Sequence, residues 1–229
     1  ANTWRTLLVG NRHKVQYKRR LYNRYVKNRL VSCTPYDDVI EMDMKRTHML
    51  TSNKRTIVQD LLRRYVDIQI GDGYVQGQNY LMTILYFVFS KGDEKMWAIQ
   101  DTFWAYVRVM SLVRPVIPDN RILFEEVQQK TKLEIIKYLD NHHPHFLPII
   151  QHDLHTLTSL ILVKWYGIWF AQYYSLNNLL NIWDQIISSN DYQHTLITIT
   201  INILKKKIPM LYTIQHQGTS KMINTILEH

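Results

Sequence analysis

Apolar residues along this chain recur mostly at three- and four-residue intervals, which predicts helix almost throughout. Trp4, Leu7 and Leu8 ahead of Gly10 predict a short opening helix. Tyr17, Leu21, Tyr22, Tyr25, Val26 and Leu30 predict the buried side of a second helix. Its Arg12, Lys14, Lys18, Arg19, Arg20, Arg24, Lys27 and Arg29 are left to solvent. Thr34-Pro35 reads as a helix start, with Thr34 as N-cap, Pro35 at the first helical position, and Asp37 and Asp38 in the first turn. That helix runs through Ile40 and Asp43. Asp43 and Arg46, three apart near its end, read from spacing alone as an ordinary exposed ion pair.

Ile57, Val58, Leu61, Leu62, Tyr65 and Val66 predict another helix, whose pattern stops at Ile70. Gly71-Asp72-Gly73 ends it and permits positive φ, aiming the Tyr-Val-Gln-Gly that follows. Tyr80 to Phe89 is apolar on all sides and predicts a helix in the middle of a domain. Met96, Trp97, Ile99, Phe103, Trp104, Val107 and Met110 predict the next. Arg114-Pro115-Val116-Ile117-Pro118 reads as the loop between two helical halves. Beyond it, Ile122, Leu123, Val127, Leu133, Ile136 and Leu139 predict a helix broken at Asn141-His142-His143-Pro144-His145. Ser159 to Leu180 suits a helix hairpin. Leu196 to Leu204 alternates enough to mimic a strand, but Lys205-Lys206-Lys207 before Pro209 reads as a helix ending in its favoured charges.

Composition narrows the chemistry. The chain has 229 residues, 46% hydrophobic, with seven Gly and six Pro against six Trp and fifteen Tyr, which suits a packed helical protein and excludes a disordered one. Cys33 is the sole cysteine, so an intrachain disulfide and a thiolate-rich zinc site are excluded. His142, His143, His145, His152 and His155 form a histidine-rich patch, but no HExxH and no facial-triad carboxylate accompanies it, and no metal is expected. With no GxxxxGK[ST] and no dinucleotide fingerprint, any nucleotide must come with a partner. No signal-peptide pattern opens the chain, and the longest apolar run is too short to cross a bilayer, so a soluble, cytoplasmic protein is expected.

The formal net charge of +9 is concentrated at one end. Nine of the 28 basic residues lie in positions 1 to 36 with no acid among them, so positions 37 to 229 balance at 19 against 19. Such a block suits nucleic acid, an anionic membrane or an acidic protein, and charge alone does not choose.

Taken together, several short motifs resemble the TBC domain of Rab GTPase-activating proteins. Trp4-Arg5-Thr6-Leu7-Leu8-Val9-Gly10 is similar to the W-x-x-L-L-x-G opening of that family. Ile40-x-x-Asp43-x-x-Arg46-Thr47 and Gly73-Tyr74-Val75-Gln76-Gly77-x-Asn79 are similar to its I-x-x-D-x-x-R-T and G-Y-x-Q-G-x-N motifs. Phe103-Trp104, Trp169-Phe170 and Ile182-Trp183-Asp184 follow in order as its later hydrophobic signposts. Departures are Gln78, where Met is usual, and His48-Met49 after Arg46-Thr47.

The resemblance implies a single all-α, two-lobed domain over 1–229, with a catalytic N-terminal lobe over about 1–114 and a C-terminal lobe over about 119–229. It implies GTPase activation on a Rab-family small GTPase in its GTP form. Arg46 would be an arginine finger, Gln76 a glutamine finger, and Asp43 the residue that orients the guanidinium or ties down the motif's backbone. No cofactor of its own is implied; GTP and Mg²⁺ belong to the partner GTPase. The basic helix Lys14 to Arg29 adds an anionic membrane surface as a possible contact, with a peripheral place on endomembranes, and no nucleic acid is expected. The alternative is a catalytically silent TBC-like module that binds a GTPase or a trafficking adaptor.

Overall fold

The computed structural model describes residues 1–31, 33–68 and 73–228, and every regular element among them is helical, with no strand. The chain divides into two compact units, Ala1–Leu112 and Val113–His229. No helix among the described residues is long and apolar enough to cross a membrane.

The first unit opens with α1 (Asn2–Trp4), continued by a π-helical turn to Val9, then α2 (Arg12–Leu21), continued by a second π-helical turn to Val26. Asn11 caps α2 by accepting from the Lys14 N–H at 3.1 Å. Then come α3 (Asp37–Lys45), α4 (Ser52–Ile68), α5 (Gln78–Phe89) and α6 (Ala98–Val113). α5 is the axis of this unit: Leu81, Met82, Ile84, Leu85 and Phe89 have no exposed surface, as its all-round apolar pattern requires. The rings of Tyr65 on α4 and Tyr106 on α6 meet edge to face, with centroids 4.8 Å apart.

α2 corrects the sequence reading. Its buried line is Val15, Arg19, Tyr22 and Val26, whereas Tyr17, Tyr25 and Leu30 are exposed. Arg19 can be buried because Asp101 on α6, itself without exposed surface, accepts from its Nε at 2.8 Å and from its Nη2 at 2.6 Å. Arg5 Nε donates to the same carboxylate at 2.6 Å, and Glu94 pairs with Arg19 as well. Two guanidiniums around one buried carboxylate, neutralised further by Glu94, meet the requirement that buried charge be paired. Trp104 Nε1 donates to the Lys18 carbonyl at 2.8 Å, fastening α2 to α6.

α3 begins two residues later than expected. Thr34 does not cap it: its carbonyl accepts from the Asp37 N–H at 3.2 Å and its hydroxyl donates to the Asp37 carboxylate at 2.8 Å, a tight turn that places Tyr36 at the N-cap. α4 ends in the described chain at Ile68; Gly71 and Asp72 of the expected helix stop lie outside the described residues.

In the second unit a 3-10 turn over Arg114–Val116 precedes α7 (Arg121–His142), α8 (Leu147–Ile150), α9 (Leu154–Ile161), α10 (Leu176–Ser188), α11 (Tyr192–Ile214) and α12 (Thr219–Leu227). α7 buries Val127, Thr131, Ile135, Tyr138 and Leu139, while Ile122 and Leu133 from the expected apolar stripe are exposed. α11 does not stop at its lysines but continues through Pro209. Between α9 and α10 the fully buried Trp169 and Phe170 both take positive φ, 46° and 59°. Trp183 on α10 donates its indole N–H to the Trp169 carbonyl at 3.0 Å.

Candidate functional site

The two polar motifs meet at one buried carboxylate. Asp43, on the inward side of the last turn of α3, is 5% exposed. Its Oδ2 accepts from the Tyr74 hydroxyl at 2.8 Å and from the Gly77 backbone N–H at 3.2 Å. Asn79, in the first turn of α5, donates from Nδ2 to Thr47 Oγ1 at 2.7 Å and to the Asp43 carbonyl at 3.3 Å. The Thr47 hydroxyl in turn donates to that carbonyl at 2.8 Å. The end of α3 and the segment leading into α5 are thus joined by side-chain hydrogen bonds in both directions. Burial, and then the neighbouring Asp43, push the Tyr74 hydroxyl far above its ordinary pKa, so it stays a proton donor.

The geometry overturns the ion-pair reading. Asp43 turns into the protein toward residues more than 30 positions away, while Arg46, the C-cap of α3, is exposed and makes no side-chain hydrogen bond or ion pair with a described residue.

Gln76 lies in a turn closed by the Gln78 N–H on the Val75 carbonyl at 3.1 Å. Gly77, with φ 99° and ψ −16°, has the conformation of the third residue of a type II turn, for which glycine is preferred. This leaves the Gln76 side chain exposed and without a partner among the described residues. Behind the turn, Gly73 takes φ 57°, and a Cβ there would lie 2.6 Å from the Tyr36 hydroxyl. Glycine is therefore favoured for conformation, and any Cβ would also have to displace the end of the half-buried Tyr36 side chain.

Arg46 thus stands three residues after the anchoring Asp43, and Gln76 immediately before the Gly77 that Asp43 holds. One carboxylate ties the turn that carries Gln76 to the end of the helix that carries Arg46. A cationic fork and a carboxamide offered this way can engage an anion and a water on another molecule.

Of the departures, Gln78 is 3% exposed and points inward, where its Oε1 accepts from the Tyr106 hydroxyl at 3.4 Å and its Nε2 is buried without a partner. It therefore does not line the exposed surface beside Gln76. His48 is exposed. In the histidine-rich stretch, His142 stacks on Tyr138 with centroids 4.8 Å apart, and the His143 ring lies 5.8 Å from the same tyrosine ring.

The sequence model of the family described as Rab-GTPase-TBC domain matches residues 1–212, a stretch that contains the whole of this arrangement. The chain belongs to that family. Among solved structures, this TBC domain is similar to the crystal structure of the Ypt/Rab-GAP domain of Gyp1p. The identity is 15% and the TM-score 0.76, with 98% of this chain and 79% of that one covered. At this identity the likeness shows the all-helical TBC fold. No curated protein sequence matches the chain.

Proposed function

We propose that this TBC domain accelerates GTP hydrolysis on a Rab-family small GTPase in its GTP form, with Arg46 and Gln76 as the groups that enter the partner's site. The observation that carries this reading is the shared anchor: both side chains are exposed and unpartnered among the described residues, on two segments that the Asp43 carboxylate joins. Membership of the Rab-GTPase-TBC domain family supports the choice of partner.

Phosphoryl transfer spreads negative charge over the transferring group, so an activator needs a cation aimed there and a group to hold the attacking water. Arg46 supplies the first through a planar fork that spans more than one oxygen. Gln76 supplies the second, since a carboxamide both donates and accepts. Asp43 is the positioning residue, tying the turn that carries Gln76 to the helix end that carries Arg46. Mg²⁺ and GTP reside on the partner, and the location this implies is the cytoplasmic face of endomembranes.

The test is single-turnover GTP hydrolysis across a panel of purified Rab GTPases. Wild type is expected to accelerate at least one member by about 10³- to 10⁵-fold, with most of that lost in Arg46→Ala and in Arg46→Lys. Gln76→Ala is expected to slow the chemical step more than it weakens binding. Wild-type rates in these variants would remove the assignment. Binding without acceleration of any member would leave a binding module instead.

A further inference from the structure

The outer side of α2 carries residues that the sequence pattern assigned to the core. Tyr17 and Tyr25 are 57% and 58% exposed, with the half-buried Leu21 between them and the exposed Leu7 on the preceding turn. Spacing by four puts Tyr17, Leu21 and Tyr25 along one line, distinct from the buried line of Val15, Arg19, Tyr22 and Val26. Two half-open depressions follow it. One is floored by Leu7, Leu8, Leu21 and Trp104 and edged by Lys14 and Lys18; the next lies among Tyr17, Arg20, Leu21, Arg24 and Tyr25.

The charge beside this line is of one sign. Lys14, Arg20 and Lys27 are exposed and form no ion pair with a described residue, and the Arg24 guanidinium lies 5.2 Å from the Tyr25 ring centre. The acids near this element are engaged with other cations: Asp101 and Glu94 with Arg19, Asp67 with Arg29, and Asp60 with Arg64. They offset the inner cations and leave the outer ones uncompensated.

An aromatic line flanked by cations, with no acid on the outer face, matches a surface whose negative charge is spread rather than placed at points. Tyrosine suits the headgroup level of a bilayer, with an apolar ring and a polar tip, and exposed Lys and Arg are drawn to anionic lipid. A partner helix would instead be expected to seat in an apolar groove, whereas the depression among Tyr17, Leu21 and Tyr25 is lined by Arg20 and Arg24 as well. We infer that the outer face of α2, through Tyr17, Arg20, Leu21, Arg24 and Tyr25, docks this domain on an anionic membrane surface. The inference is independent of the roles of Arg46 and Gln76.

The experiment is co-flotation of the full chain with phosphatidylcholine vesicles, with and without phosphatidylserine, over a series of salt concentrations. Binding is expected only where phosphatidylserine is present and is expected to weaken as salt rises. Arg20→Glu/Arg24→Glu is expected to lower vesicle affinity by at least about 30-fold. Tyr17→Ser/Tyr25→Ser is expected to lower it by roughly tenfold while keeping the salt dependence. All four positions are exposed, so circular dichroism of both variants should match wild type, and hydrolysis on a soluble GTPase should be unchanged by either. Equal binding to neutral vesicles, no binding at low salt, or wild-type binding by both variants overturns the inference. So does capture by an acidic polypeptide with no affinity for the vesicles.

Discussion

Replacing Asp43 by Ala should damage stability far more than any exposed ion pair could. The substitution strips the acceptor from the Gly77 N–H and from the Tyr74 hydroxyl, which lie 3.2 Å and 2.8 Å from Asp43 Oδ2. Hydrogen bonds to a charged group contribute about 1.5–3 kcal/mol each. The Tyr74 hydroxyl keeps a weaker acceptor in Asn79 Oδ1 at 3.3 Å, so the expected loss is about 2–5 kcal/mol. An exposed Asp–Arg pair would contribute about 0.2–1 kcal/mol. In a chain of this length the larger loss lowers Tm by roughly 4–20 °C. The assay is urea unfolding followed by circular dichroism, with Arg46→Ala and the double variant alongside. Arg46→Ala alone should cost less than about 0.5 kcal/mol, and the two effects should add within about 0.5 kcal/mol because the side chains do not meet. An Asp43→Ala loss below about 1 kcal/mol, or a coupling with Arg46 above that value, would refute the shared-anchor reasoning.

Three further outcomes are expected. Gly73→Ala must strain the φ of 57° and push the Tyr36 hydroxyl from its 2.6 Å position against the new Cβ; the urea midpoint should fall by the equivalent of about 1–3 kcal/mol, and Tyr36→Phe should partly restore it. Gln78→Met/Tyr106→Phe removes the unpartnered Nε2 of Gln78 and the long Tyr106 hydroxyl bond to its Oε1 together, so stability should be unchanged or higher, whereas Tyr106→Phe alone should be destabilising. Finally, the Arg19 hydrogen bond holds the Glu94 carboxyl below its ordinary pKa of 4.5. A carboxyl lowered on folding stabilises above its unfolded value, and that stability is lost as pH falls through the lowered one. The acid limb of the stability curve should therefore be shallower in Glu94→Gln, read from unfolding midpoints between about pH 2 and pH 5.

Legibility in the sequence followed the range of the interactions. α4 and α5 are set by apolar positions within a turn or two of each other, and the pattern located both. The burial of Arg19 depends on Asp101, 82 positions later, and no local pattern contains that. Spacing alone misplaces the outward Tyr17 and Tyr25 because tyrosine suits either side of a helix and because the buried line runs instead through the charged Arg19. At the site, three-residue spacing located Asp43 and Arg46 near the end of one helix but wrongly paired their side chains. It could not show that Asp43 turns inward, since its partners are Tyr74 and Gly77. α11 overran its predicted end because burial along Leu196, Ile203, Ile208 and Leu211 sustains the helix across Pro209, outweighing the local cost of proline.

The turn at Trp169 and Phe170 bears on how this protein leaves the ribosome. Left-handed conformations cost non-glycine residues on the order of 1–3 kcal/mol each, so two in succession do not hold by themselves. The indole that bonds the Trp169 carbonyl belongs to Trp183, fourteen residues later, on a helix that runs to Ser188. A nascent chain that has exposed α9 but still holds α10 in the exit tunnel lacks the Trp183 bond to this turn. Until α10 emerges, Trp169 and Phe170 lack the cover that Trp183 gives them, so a pause in translation at that point would lengthen the time these two apolar side chains stay exposed.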